Sequence, residues 1–199
     1  LHDEVLFVMQ KYDNVAKHIH LPAQSGSTRI LEKMNRTYTR EWYEERINRI
    51  KELMPECSIS SDIITGFCSE TEEDHQATLS LMKWAEYEFS YMYFYSERPG
   101  TLAARKYEDD VPEEVKRRRL TEVIEIQHEV AKRKNKAQEG KVHRVLIESK
   151  SKKNPDEWMG RNEQNIKVIF PKEHYKKGEY VNVRIERSTI TSLVGVAVS

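Results

Sequence analysis

Three short stretches hold the residues best suited to chemistry. The first runs Asp62-Ile63-Ile64-Thr65-Gly66-Phe67-Cys68-Ser69-Glu70-Thr71-Glu72-Glu73-Asp74. Ile63 and Ile64 are β-branched and suit a buried strand. Gly66 permits a sharp turn or the close approach of a ligand. Thr71 and Asp74 make the capping-box pattern that opens a helix, and Glu72 and Glu73 put negative charge where the helix dipole favours it. The second stretch is the small, polar loop Ala23-Gln24-Ser25-Gly26-Ser27, directly after the alternating His18-Ile19-His20-Leu21-Pro22. The third, Tyr95-Ser96-Glu97-Arg98-Pro99-Gly100-Thr101, is a turn signal at the end of an aromatic run. Ligands of α/β folds bind where strands end in such loops. His18 and His20 share one face of a strand and could form a metal pair. Hydrogen-bonded histidines fit the same spacing, and no third ligand lies near in sequence.

The elements needed to position these loops follow from the spacing of apolar residues. A short helix is expected to end near residue 14, and another runs from about Ser27 to Met34. Thr39 caps a longer one, on which Tyr43, Ile47, Ile50 and Met54 recur at helical spacing before Pro55. A helix over 72–85 carries Ala77, Leu81 and Ala85, and Phe89 to Tyr95 form an aromatic strand. Three strand–loop–helix units in succession imply a parallel sheet, and right-handed crossovers put the three loops on one edge. A complete (β/α)₈ barrel needs about 200–250 residues. The α/β pattern here covers too little of the chain for that, so part of a barrel is expected.

Pro112 opens a long helix reaching about Gly140, with Val115, Leu120, Val123, Ile124, Gln127 and Val130 on one face. Beyond Gly140 the apolar period falls to two. Strands are expected at 142–147, 166–170, 180–185 and 192–198, which implies a small, OB-like β-barrel. The fold class is therefore α/β, a partial (β/α) barrel over 1–139, followed by an all-β barrel over 140–199.

The chain has 199 residues and no net charge, 33% of them charged and 38% apolar. The charge is unevenly placed. Residues 140–199 hold 12 Lys and Arg against 7 Asp and Glu, while residues 1–139 hold 21 against 26. A segment of +5 suits an anionic partner. Lys150, Lys152, Lys153, Arg161, Lys167, Lys172, Lys176 and Lys177 cluster around its loops, as in small barrels that bind oligonucleotides. No apolar run approaches the roughly 18 residues of a membrane span. Cys57 and Cys68 are far apart and form no CxxC pair, so no disulfide framework or zinc site is indicated and a cytoplasmic setting is expected. The start, Leu1-His2-Asp3-Glu4, carries no signal segment and suggests a piece of something longer.

These words resemble the C-terminal half of the radical S-adenosylmethionine (SAM) methylthiotransferases. The match rests on His18 to Ser27, Met34-Asn35-Arg36-Thr37-Tyr38-Thr39, Asp62 to Asp74 and Tyr95 to Thr101, with Gly160-Arg161, Val168 and Phe170 in the tail. Asp62 to Glu70 follows the family's GxIxGxxxE pattern, except that Asp62 replaces the first Gly and Ser69 stands where Gly is commoner. The tail is similar to a TRAM domain, an RNA-binding β-barrel. Within the family the likeness is strongest to enzymes that methylthiolate carbon 2 of isopentenyl-adenosine beside the tRNA anticodon. Sister enzymes act on threonylcarbamoyl-adenosine or on a ribosomal-protein aspartate, and a non-catalytic RNA-binding module is the remaining alternative.

The resemblance implies SAM and two [4Fe–4S] clusters as cofactors. It implies the tRNA anticodon stem-loop, an N-terminal portion of the same protein, an electron donor and a sulfur source as partners. One SAM would donate a methyl group to sulfur at the auxiliary cluster, and a second would give the 5′-deoxyadenosyl radical that abstracts hydrogen from adenine carbon 2. The CxxxCxxC cluster motif is absent from these residues, so the chain by itself is expected to hold no iron and to be inactive. By the same resemblance, Gln24 and Ser25 would hydrogen-bond the SAM ribose or methionine part. Ile64 and Gly66 would let the adenine lie flat, Tyr95 and Ser96 would line its pocket, and Glu70 would stabilise the turn. A valine at 66 would then crowd the adenine and leave the fold intact. Arg29 and Arg36 are candidates for a carboxylate or phosphate contact.

Overall fold

The structure is a computed structural model that describes residues 1–198. The chain packs into two compact units. One comprises residues 20–53 and 59–130 with Leu1; the other comprises 2–19, 54–58 and 131–198. No helix among the described residues is long and apolar enough to cross a membrane.

The α/β part of the chain is built on a three-stranded sheet ordered β1 (His18–His20), β2 (Ser58–Thr65) and β3 (Phe89–Phe94). β2 and β3 are parallel, in register from Ser60 opposite Phe89 to Thr65 opposite Phe94. Parallel neighbours need a crossover, supplied here by α4 (Glu72–Ala85). α4 starts where the sequence places it: the Thr71 hydroxyl accepts from the Asp74 N–H, and the Asp74 carboxylate accepts from the Thr71 N–H. α2 (Thr28–Lys33) and α3 (Arg40–Leu53) flank the sheet, the first capped by the Ser27 hydroxyl. Ile30, Leu31, Tyr43, Ile47, Ile50, Ile63, Leu81, Met82 and Tyr87 are all buried to within 1% of full exclusion. Within that core the Tyr87 hydroxyl donates to the Tyr43 hydroxyl, and Tyr43 donates to the Leu21 carbonyl at 2.6 Å.

A short helix, α5 (Leu102–Lys106), follows the third loop, in a stretch that looks only like a turn in the sequence. It spans a single turn capped by Thr101, too short for a periodic apolar signal. α6 (Glu113–Lys136) is the long helix, and it ends four residues before Gly140 because 137–140 form turns. At the other end of the chain, α1 (Asp3–Lys11) buries Leu6 and Met9.

The second unit contains a closed barrel of five strands, not four: β4 (Val142–Lys150), β5 (Glu157–Asn162), β6 (Lys167–Pro171), β7 (Tyr180–Ser188) and β8 (Leu193–Ala197). They run in the order β4-β5-β6-β8-β7, antiparallel except for β6 beside β8. Alternation is strict along β7, where Val181, Val183 and Ile185 point inward to Val145, Ile147, Trp158, Val168, Phe170 and Leu193. β5 escapes a sequence reading because Glu157, Gly160 and Asn162 are poor strand formers. The fold explains Gly160: a Cβ there would stand 2.2 Å from the Leu146 carbonyl oxygen of the neighbouring strand.

Candidate functional site

The loops after β1, β2 and β3 meet at the carboxyl edge of the sheet. Gln24 is drawn into the sheet itself. Its N–H donates to the Asp62 carbonyl and its carbonyl accepts from the Ile64 N–H, both at 2.9 Å. This fixes Gln24 at φ 67, a left-handed conformation that costs a non-glycine residue about 1–2 kcal/mol. Such strain concentrates at functional sites. The Gln24 side-chain amide makes no hydrogen bond among the described residues and borders a cleft of about 780 Å³. Ile64, Tyr95 and Ser96 border the same cleft, with Met34, Phe67 and Met92 adding apolar surface and Lys33, Arg36 and Arg98 adding positive charge. Below them, Ile30, Phe67 and Cys68 are buried, with Tyr95 packed on them; the Phe67 and Tyr95 rings meet edge-on at 4.9 Å. Burial pushes the Tyr95 phenol up to about 12, so it stays protonated.

Four of the six expected cofactor residues thus share one cleft, and two do not line it. Ser25 is 1% exposed. Its hydroxyl accepts from the Ser27 N–H and lies 3.3 Å from the Thr78 hydroxyl of α4. Gly26 sits so close to α4 that a Cβ would be 2.4 Å from the Ala77 carbonyl oxygen. Gly66, at φ 66, lies under the stem of Lys116, whose Cγ would be 2.4 Å from an added Cβ. The expectation that a side chain at 66 would crowd a ligand and spare the fold is therefore corrected: Lys116 of α6 already fills that space. Gly66→Ala is expected to lower stability by about 1–2 kcal/mol, from the left-handed backbone alone. Urea unfolding of the two proteins checks this; equal midpoints would refute it.

Two buried carboxylates hold the edge in shape. Glu70 accepts the Gly66 N–H at 2.7 Å and the Arg119 guanidinium at 2.9 Å, so it secures the turn as expected. Burial raises the Glu70 carboxyl above its ordinary range, although Gly66 and Arg119 oppose it. Asp74 gathers the Ser27 hydroxyl at 2.6 Å, the Thr71 N–H at 2.8 Å and the Arg29 guanidinium. Burial alone would raise this carboxyl, but those donors hold it well below the usual range. Arg29 also donates to the Ser69 carbonyl, so it ties α2 to the loop after β2, and it does not line the cleft. Ser69 itself is at φ 63, which explains why glycine suits that position.

The histidines are the hydrogen-bonded kind. His18 Nδ1 lies 2.7 Å from the Ser58 hydroxyl, and His20 Nδ1 lies 2.9 Å from that of Ser60. Asp62, the departure from the GxIxGxxxE pattern, stands 3.5 Å from His20 Nε2. Elsewhere Glu72, His75 and Glu122 lie close enough together to hold a cation, but Arg118 bridges the two glutamates at 2.7 and 2.6 Å. Cys57 and Cys68 are buried free thiols. Burial pushes Cys57 up to about 11 and raises Cys68 as well, so neither is a thiolate.

On the barrel, Lys150, Lys152 and Lys153 are exposed around the β4–β5 loop, with no acidic partner among the described residues. Lys172 is exposed with its ammonium 5.1 Å from the Trp158 ring centroid, and Lys167 is half-buried opposite Arg161. Arg161 is occupied: it donates to the Asn165 carbonyl at 2.8 Å and stands 3.5 Å from Glu148.

Residues 1–82 match the radical SAM superfamily, and residues 136–198 match the TRAM domain. The chain is a radical SAM segment joined to a TRAM domain. It is 57% identical over 97% of its length to a tRNA-2-methylthio-N(6)-dimethylallyladenosine synthase of Amoebophilus asiaticus, covering 40% of that relative. Synthases of the same description from Flavobacterium johnsoniae and Bacteroides thetaiotaomicron are 54% and 49% identical over 100% and 97% of the chain. The chain spans about two-fifths of the length of these curated relatives. Among solved structures, the Escherichia coli radical SAM enzyme coproporphyrinogen III oxidase (HemN) superposes with a TM-score of 0.55 at 15% identity, over 82% of this chain and 44% of its own. That likeness concerns the fold alone. Lys33, Asn35 and Arg98 of the cleft carry no site signal of their own in the sequence, although Asn35 and Arg98 lie inside matching words; Asn35, at φ 57, makes the turn that carries Met34 and Arg36 to the cleft.

Proposed function

We propose that this chain is the SAM-binding edge and RNA-gripping barrel of a tRNA methylthiotransferase acting on carbon 2 of isopentenyl-adenosine next to the anticodon. The observation that carries the reading is the cleft at the carboxyl edge, bordered by the unpartnered Gln24 amide. Its volume falls within the usual range for small-molecule sites, roughly 300–1,000 Å³, and its apolar wall with a few polar groups fits a nucleoside-like cofactor. When bound, SAM supplies the methyl group and the 5′-deoxyadenosyl radical. Gln24 would hydrogen-bond its ribose or methionine part. Ile64, Tyr95 and Ser96 would hold the adenine and exclude water, while Ser25 and Gly66 act indirectly by positioning the loops. The two buried, protonated thiols do not fit an iron–sulfur cluster, which takes several thiolates on one metal core, so no step here runs through one.

The division of labour follows the boundary between residues 1–139 and 140–199. The barrel is OB-like in this reading, supported by its closed five-strand order and by the parallel β6–β8 pair. Lys150, Lys152, Lys153, Lys167 and Lys172 would neutralise RNA phosphates, in a cytoplasmic protein that draws electrons and sulfur from outside this chain. The test uses the full-length protein with SAM, a reductant and tRNA bearing isopentenyl-adenosine, followed by mass spectrometry of nuclease digests. Methylthiolated nucleoside is the expected product. Gln24→Ala should weaken SAM binding in equilibrium dialysis by about ten-fold, the loss of one hydrogen bond to a bound ligand. Modification only of threonylcarbamoyl-adenosine tRNA, or SAM binding indifferent to Gln24, would overturn the assignment.

A further inference from the structure

The outer surface of the barrel is unevenly open. Met159 and Arg161 on β5 and Lys167 and Ile169 on β6, all outward, are half-buried. On β7 the outward Tyr180, Asn182 and Arg184 are exposed, Tyr180 at 56%. Register places them beside β4, with Leu146 opposite Tyr180, Arg144 opposite Asn182 and Val142 opposite Arg184. Arg144 and Tyr180 are diagonal neighbours, and the guanidinium carbon of Arg144 lies 4.1 Å from the Tyr180 ring centroid. Among the described residues neither Arg144 nor Arg184 has an acidic partner. The face therefore combines a large exposed ring, a planar cation laid over it, a side-chain amide and a second unpaired guanidinium.

Each of these groups suits an unpaired nucleotide. Bases splayed out of a helix stack on tyrosine rings and on arginine planes. An asparagine amide offers a donor and an acceptor to a base edge, and a guanidinium binds a phosphate through paired hydrogen bonds. The +5 charge of residues 140–199 complements that partner. We propose that the β4–β7 face is a stacking platform for an unpaired RNA base, with Tyr180 and Arg144 as its surface, Asn182 reading the base edge and Arg184 holding the adjacent phosphate. The inference rests on the RNA-binding reading above and deepens it. The loop lysines are point charges that recognise phosphate of any strand, whereas this face selects a single-stranded segment.

The test is titration of the full-length protein with a labelled RNA hairpin bearing an unpaired loop, and with a blunt RNA duplex of equal charge, at several salt concentrations. Tyr180→Ala should weaken hairpin binding by about ten-fold, within the range of base–aromatic stacking, and leave duplex binding unchanged. Its salt dependence on the hairpin should equal that of the wild type, because stacking neutralises no phosphate. Tyr180→Phe keeps the ring and should bind the hairpin like the wild type. Changing Lys150, Lys152 and Lys153 together to Ala should weaken both RNAs and flatten the salt slope by roughly 0.7–0.9 for each phosphate left without its lysine. If the lysine variant is impaired while Tyr180→Ala binds the hairpin normally, the platform is wrong and the RNA-binding reading stands. Equal losses on hairpin and duplex for Tyr180→Ala would also overturn the platform. If neither variant changes binding, the RNA-binding reading fails together with it.

Discussion

Arg119→Met is expected to destabilise the protein by about 3–5 kcal/mol, the usual loss when one partner of a buried ion pair is removed. Arg119 and Glu70 are 4% and 5% exposed, so water cannot replace the missing guanidinium. Arg119 also binds the Glu70 carbonyl at 3.0 Å, and Glu70 holds the Gly66 N–H. The loss therefore falls on the turn after β2, beside the cleft. The pH dependence identifies the cause. Burial already lifts the Glu70 carboxyl, and removing Arg119 takes away a charge that opposed the lift. An acid whose folded pKa lies above its unfolded value costs stability as pH rises through the folded value. The variant should therefore fall furthest below the wild type at neutral pH, and the gap should narrow as pH drops and the raised Glu70 carboxyl takes up its proton. Replacing both residues with apolar ones of similar size should recover most of the loss. Urea unfolding across that pH range measures all three effects. A gap below about 1 kcal/mol at neutral pH, typical of exposed pairs, would show that the pair does not hold the edge.

Asp74→Ala should cost about 3 kcal/mol, combining a lost helix cap with lost hydrogen bonds to a charged acceptor. Asp74 is 6% exposed and binds three residues from two places in the chain: Ser27 and Arg29 at the start of α2, and Thr71 at its own helix cap. Its carboxyl is held well below the ordinary range, so the sign is that of a depressed acid. Its contribution is complete above the unfolded value and disappears as pH falls through the folded one. The wild-type advantage over Asp74→Ala should thus persist through the neutral range and shrink only below about pH 4, a more acid window than for Arg119→Met. Arg29→Ala should cost under about 1 kcal/mol, since its side chain is 45% exposed. If Arg29→Ala proves as damaging as Asp74→Ala, the ion pair and not the cap and hydroxyl network holds the loop.

The parts of this protein legible in its sequence are those whose physics is local. The capping box at Thr71 and Asp74 needs only two residues three apart, the β7 alternation needs only its own residues, and the turn at Gly66 needs only a missing Cβ. Alternating strands and helices with right-handed crossovers were enough to bring the loops after β1, β2 and β3 to one edge. Where local rules conflict with packing, the sequence was silent. β5 carries glycine and polar residues because Gly160 must pass close to the Leu146 carbonyl, an approach between strands that no single segment reveals. The same holds within the candidate site. Gln24, Ser25, Ile64, Gly66, Tyr95 and Ser96 all lie near strand ends, and nothing in their types separates those that border the cleft from those that build it. That difference was decided by partners distant in the chain: Thr78 engages Ser25, and Lys116 covers Gly66. A short polar side chain is available to a ligand only if the fold has not already satisfied its hydrogen bonds, and that depends on tertiary neighbours. For the same reason the Arg144–Tyr180 pair appears only when β4 and β7 are set side by side, thirty-six residues apart in sequence.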